Sequence, residues 1–156
     1  SDDDAHRSAR QHLENIIQLL PWIATVDAFQ HWIYTTPDHT RQQRSDKWVE
    51  LMDRFGGIED WSGFEDARAY GWHRQLHIFE VPFYYIEYGI AQLGALQIWQ
   101  RSKEDLALAL KDYAAALALG KSQPLPKLFE TAGIHFDFGE KTIRPLAGAI
   151  MDELDN

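Results

Sequence analysis

The sequence contains no cysteine. That excludes disulfides, thiolate metal sites and a cysteine nucleophile, and it leaves the compartment open. There is no basic surplus either. Fifteen Lys and Arg stand against 24 Asp and Glu, for a formal net charge of −9. A nucleic-acid backbone or an anionic bilayer is repelled by such a balance unless a basic stripe is present. None occurs: Arg41 and Arg44 are separated by neutral residues and followed by Asp46. No nucleic-acid partner and no membrane partner is therefore expected. No apolar run approaches the roughly 20 residues of a membrane span. The longest, Leu106 to Leu119, is interrupted by Lys111 and Asp112. The opening Ser1-Asp2-Asp3-Asp4 is acidic where a secretory leader is basic and then apolar. A cytoplasmic location is the expectation.

Several motifs are missing as well. There is no Gly-x-x-x-x-Gly-Lys-Ser/Thr, no Gly-x-Gly-x-x-Gly and no Gly-x-Ser-x-Gly. Nucleotide-binding loops and a hydrolase elbow are unsupported. No His is followed by Glu, so the His-Glu-x-x-His zinc motif is absent too.

What is present can build a core. Apolar residues make up 45% of the chain, aromatics 13%, and there are six Trp. The 156 residues suit one ordinary domain or a large piece of one, and disorder is excluded by composition. Leu13, Ile16, Ile17, Leu20, Ile23, Ala24 and Phe29 repeat near 3.6 residues, predicting a long helix over 2–35 with a kink or restart at Pro21. Thr40 is the expected N-cap of a second helix, with Trp48, Leu51, Met52 and Phe55 inward and Gly56-Gly57 as its stop. A third helix is expected over 64–79. A fourth starts with Pro82 in its first turn and runs to about Arg101. A fifth is capped by Ser102 and closed by Gly120. A short helix is expected over 127–131. Ile134-His135-Phe136-Asp137-Phe138 alternates like a strand, and Thr142 is the expected cap of a last helix. The fold class is all-α, a single helical subdomain over 1–156 with an irregular stretch near 121–140.

Chemistry concentrates between Trp72 and Tyr88. On one continuous helix His73 and His77 share a face, as do Tyr85 and Tyr88, and Tyr84 and Tyr88. A His pair at that spacing can bind zinc, but Arg74 stands where a zincin carries its general base. A second reading is transition-state stabilisation, in which neutral Tyr hydroxyls and a His N–H donate to the oxygen of an attacked carbonyl. The third is structural, since tyrosines at helical spacing commonly pack a core with their hydroxyls at the surface. Glu80 and Glu87 are candidate carboxylates, although solvated acids are commoner. His31 and His39 flank the turn after the first helix, and Gly133 with Gly139 brackets an extended segment.

The string His77-Ile-Phe-Glu-Val-Pro-Phe-Tyr-Tyr-Ile-Glu-Tyr-Gly-Ile-Ala-Gln-Leu-Gly-Ala-Leu-Gln-Ile-Trp99 resembles the C-terminal region of oligoendopeptidase F and Pz-peptidase-type enzymes, in the thimet oligopeptidase family of zinc peptidases. Asp27–Tyr34 with Pro37–Thr40, Ala5–Glu14 and Leu128–Asp137 are similar to other parts of the same region. The resemblance implies a mostly helical fold around a channel for short peptides. It also implies a zinc held by His-Glu-x-x-His and a further Glu, all upstream of the region seen here. It places His77, Tyr85 and Tyr88 as catalytic hydrogen-bond donors, with His73 and Tyr84 in reserve as substrate-binding residues. It makes the chain a C-terminal fragment whose partners are a short peptide and the rest of the catalytic domain, with no zinc on the chain itself and no activity alone. Two alternatives stay open: a non-catalytic helical peptide-binding module, and a small metal-binding protein using His73 and His77.

Overall fold

A computed structural model describes residues 2–57 and 59–155. Among them are eight α-helices and no strand. They run α1 (Asp2–Thr35), α2 (Arg41–Phe55), α3 (Glu65–Ala69), α4 (His77–Glu80), α5 (Ile86–Glu104), α6 (Leu106–Leu119), α7 (Leu125–Thr131) and α8 (Glu140–Asp155), with a 3-10 turn over Gly71–Arg74 between α3 and α4. The all-α expectation holds. The described residues fall into two compact units, Glu14–Gly89 and Ser1–Leu13 with Ile90–Asn156. Helices α1 and α5 each contribute to both.

The Glu14–Gly89 unit is organised by aromatic side chains. Val26, Phe29, Trp48, Leu51, Trp72 and Ile78 form its buried cluster, and Trp22, Trp32 and Tyr85 pack against it half-buried. Phe29 meets Trp48 edge to face at 5.1 Å and Trp72 at 5.4 Å, and Trp22 meets Trp48 edge to face at 5.6 Å. Such edge contacts put ring hydrogens against ring faces, which adds to the gain from burial. Helix α1 passes through Pro21 without a break in its assignment, and Thr25 Oγ1 donates to the Pro21 carbonyl at 3.0 Å.

Helix α2 begins as its sequence requires. Thr40 accepts from the Gln43 backbone N–H and the Gln43 side chain accepts from the Thr40 backbone N–H, a complete capping box. Gly56 ends the helix with its N–H donating to the Met52 carbonyl at 2.8 Å.

The expected helix over 64–79 is instead three short pieces. Gly71 sits in its middle, where glycine costs about 1 kcal/mol of helix stability relative to alanine. The apolar residues do not make one face either: Trp72 and Ile78 are buried, while Phe64, Leu76 and Phe79 are exposed. A continuous helix has no single stripe to bury here, so the chain folds as turns around Trp72. Pro82 also falls outside a helix. It lies in the turn between α4 and α5, which starts at Ile86.

In the other unit, α5 continues to Glu104, and Asp105 rather than Ser102 caps α6, its carboxylate accepting from the Leu108 N–H at 3.0 Å. Ser102 instead donates to the Trp99 carbonyl at 2.7 Å. Gly94 matters for packing. A Cβ there would lie 3.0 Å from the Phe129 ring, so glycine lets α7 approach α5. The segment over 134–138 is neither helix nor strand, and no strand pairs with its backbone. The Gln97 side chain takes that role, accepting from the His135 N–H at 2.9 Å and donating to the His135 carbonyl at 3.0 Å.

Two outcomes follow for stability. Trp48→Ala is expected to destabilise the Glu14–Gly89 unit by about 3–5 kcal/mol, the usual range for removing a buried large aromatic. Urea unfolding followed by near-ultraviolet circular dichroism measures it, and a loss below about 1 kcal/mol would contradict the packing described. The second concerns Asp27, whose carboxyl is pushed up by burial, partly offset by the neighbouring His31. A raised folded-state value favours folding only at low pH, and that contribution is lost as pH rises and the buried group must ionise. Asp27→Asn should therefore raise the thermal midpoint at pH 7, with the gain shrinking as pH falls towards the ordinary carboxylate range and gone below it.

Candidate functional site

The His/Tyr cluster forms because a tight turn reverses the chain between α4 and α5. The Tyr84 N–H donates to the Val81 carbonyl at 3.1 Å, closing a β-turn with Pro82 at its second position. At the third position Phe83 has φ of +63°. That arrangement is the pattern of a turn that normally takes glycine third. A bulky side chain in the left-handed region costs on the order of 1–2 kcal/mol. Contacts made by the Phe83 ring offset it, with centroids 5.0 Å from His31 and 5.1 Å from Tyr34 on α1. The turn brings the His77 ring of α4 against Tyr85 and against Tyr88 of α5.

His77, the first residue of α4, meets three tyrosines there. Its ring lies 4.9 Å from Tyr85 and 5.7 Å from Tyr88, both edge to face, and 6.3 Å from Tyr84, stacked. Tyr85 and Tyr88 are 5.1 Å apart, and Tyr84 and Tyr88 are 5.8 Å apart. His77 and Tyr85 are half-buried, while Tyr84 and Tyr88 are exposed.

Hydrogen bonds orient the cluster. The Gln75 amide nitrogen sits 2.9 Å from His77 Nδ1, and His77 Nε2 sits 3.2 Å from the Tyr88 hydroxyl. With the amide donating to Nδ1, the ring proton resides on Nε2 and is donated to the Tyr88 oxygen. Trp22 Nε1 donates to the Tyr85 hydroxyl at 3.0 Å. Tyr85 accepts from the indole, and in the Nε2–H tautomer Tyr88 accepts from His77, which leaves both hydroxyl protons to donate outward. Two neutral donors about 5 Å apart by ring centre, on a partly exposed surface, suit an oxygen on which negative charge grows.

The structure brings together His77, Tyr84, Tyr85 and Tyr88. It does not bring His73 to them on a shared helix face. His73 lies in the 3-10 turn, stacked on Tyr70 at 5.5 Å and edge-on to Trp72 at 4.0 Å. The expected His73–His77 face fails because the helix that would create it is interrupted at Gln75 and Leu76. Among the described residues no group of three or more His, Cys, Asp or Glu could hold a metal ion. Glu80 and Glu87 are exposed. His31 lies 3.5 Å from Asp27, and the His39 ring rests 5.0 Å from Trp32. Gly133, with φ of +71°, packs against the Arg101 guanidinium, which is a turn role.

Sequence reasoning missed Gln75 and Trp22. Nothing in a linear pattern marks an amide two residues before a histidine as its partner. Trp22 reaches Tyr85 across 63 positions.

Comparison with known proteins adds to this geometry. The profile of peptidase family M3 matches residues 1–147. A solved structure described as an oligoendopeptidase F is 34% identical with a TM-score of 0.83, covering 99% of this chain and 28% of that one. Pz peptidase A, solved with an inhibitor, is 32% identical with a TM-score of 0.88, at 99% and 28% coverage. An oligoendopeptidase F structure from Bacillus anthracis is 25% identical with a TM-score of 0.74, at 98% and 24%. The chain thus spans about a quarter of the length of these proteins. No match is found among curated proteins.

The hydrogen-bond reading of His77 has a direct check. Long-range 1H–15N correlation of the imidazole is expected to show the Nε2–H tautomer. Gln75→Glu should move the proton to Nδ1, because a carboxylate accepts only. An Nδ1–H ring in the unsubstituted protein would refute the assignment.

Proposed function

The chain belongs to peptidase family M3, and we propose that it forms the substrate-facing wall of a zinc-dependent oligoendopeptidase acting on short peptides. In this reading zinc and the water-activating base are held by residues outside this chain, and none of the roles below runs through the metal. The observation that carries the proposal is the pair of tyrosine hydroxyls held in place from within the protein, Tyr85 by the Trp22 indole N–H and Tyr88 beside His77 Nε2.

The roles follow from that arrangement. When water adds to a peptide carbonyl, charge grows on the carbonyl oxygen. Tyr85 and Tyr88 donate to that oxygen or to the neighbouring substrate backbone. His77 directs its Nε2–H to Tyr88, which fixes the hydroxyl and makes its proton a better donor as charge develops. Tyr84 offers an exposed ring and hydroxyl beside the pair for substrate contact. His73 lies apart from this cluster, and its reserve role as a substrate contact has no support in the site.

A further feature supports a partner within the same protein. Helix α6 leaves Leu106, Leu110, Tyr113 and Leu117 exposed, at spacings of four, three and four. That is the seam a helix presents to a packing neighbour. It supports the proposal that this region packs against the rest of a catalytic domain. No helix among the described residues is long and apolar enough to cross a membrane, so the seam is not read as a span.

Tyr88→Phe, made in the complete protein that carries this region, is expected to lower kcat by about 100-fold, the cost of one oxyanion donor, with KM within about threefold. Steady-state cleavage of a quenched fluorescent peptide measures both. An unchanged kcat would remove Tyr88 from the machinery and with it the proposal.

A further inference from the structure

A pocket of about 340 Å³ lies in the Glu14–Gly89 unit and shares no lining residue with the His77–Tyr88 cluster. Its wall is formed by residues 41, 42, 44 and 45 of α2 with Tyr70, Trp72 and His73, and no carboxylate lines it. In a chain with 24 acidic and 15 basic side chains that composition is unexpected. No acid among the described residues pairs with Arg41 or Arg44. The nearest acid on the same helix, Asp46, accepts from the Gln42 amide at 2.8 Å.

The donors are also unsatisfied. Trp72 is 5% exposed, and its indole N–H is buried with no hydrogen-bond partner. Arg44 Nε is likewise buried and unpartnered, with the guanidinium 5.7 Å over the Trp72 ring. A buried donor without an acceptor is costly, and native structures keep few of them. The pocket also borders the start of the 15-residue helix α2, whose first turn carries no acid to occupy the positive end of its dipole. Guanidinium, indole and helix end are all donors or positive, and the wall carries no negative charge to match them.

From this we propose that the pocket binds a small oxyanion, held by the Arg41 and Arg44 guanidiniums with the Trp72 indole N–H as a buried neutral donor. A carboxylate and a phosphate share the needed chemistry, a compact negative group with several acceptor lone pairs that matches the guanidinium fork. The proposal does not depend on the peptidase reading, because none of its residues has a role there.

The test uses the 156-residue chain, with the Trp72 indole 1H–15N resonance as the probe, assigned through Trp72→Phe. Sodium phosphate and sodium acetate are titrated separately at low ionic strength, with sodium chloride as the matched control. A saturable shift with phosphate or acetate, absent with chloride, is the expected result. A response to both assigns the pocket to oxyanions in general, and a response to phosphate alone assigns it to the tetrahedral class. Arg44→Gln should weaken binding by about tenfold or more, as expected for removing a charge-assisted bond. Arg41 is exposed, so Arg41→Gln provides a second test that does not disturb the ring beneath Arg44. It too should weaken binding several-fold. No saturable shift with either oxyanion, an equal shift with chloride, or unchanged affinity in both folded variants would overturn the proposal.

Discussion

The indole of Trp22 is held at both ends. Its ring packs edge-on against Trp48 in the centre of the Glu14–Gly89 unit, and its N–H reaches the Tyr85 hydroxyl. An indole N–H drawn away from water must find an acceptor or lose a hydrogen bond. Satisfying it with Tyr85 fixes where the tyrosines stand relative to the core. The same core positions Trp72, through Phe29, and so sets the wall of the basic pocket. Both candidate sites therefore depend on one aromatic cluster, and damage to it should reach them together.

Much of the fold was legible because helix signals are local. Thr40, Gly56 and Gly120 mark ends by capping chemistry that acts over three or four residues, and each performs the expected role. The break within 64–79 was not legible, because it depends on which of several apolar residues the core accepts. Trp72 is taken in and Phe64, Leu76 and Phe79 are left out, a choice made by Phe29 and its neighbours on distant helices. The strand-like alternation at 134–138 is a related case. No strand forms there, and the partner of the His135 backbone is the Gln97 side chain.

The candidate site divides along the same line. Tyr85 and Tyr88 were readable from their spacing, and His77 from the resemblance around it. His73 was grouped with His77 by a helical period that the chain does not sustain between them. Arg41 and Arg44 looked isolated in the sequence because no further basic residues follow. Their setting comes from Tyr70, Trp72 and His73, which return to α2 from later in the chain. Gln75 shows the finer limit, since its importance lies in one 2.9 Å bond that decides which imidazole nitrogen carries a proton.

The turn at Phe83 makes the loop between α4 and α5 behave as a ruler. Its shape is not one that Phe adopts by preference; it is imposed by ring contacts to His31 and Tyr34 on a helix formed much earlier in the chain. The eleven-residue interval from His77 to Tyr88 is therefore fixed at three points, the two residues themselves and the Phe83 ring. One residue more or less between them would rotate whatever follows on α5 by roughly 100° about the helix axis. Tyr88 would then face away from His77 while the rest of α5 lost its buried side. Drift in loop length, usually the cheapest change available to a protein surface, is closed to this segment.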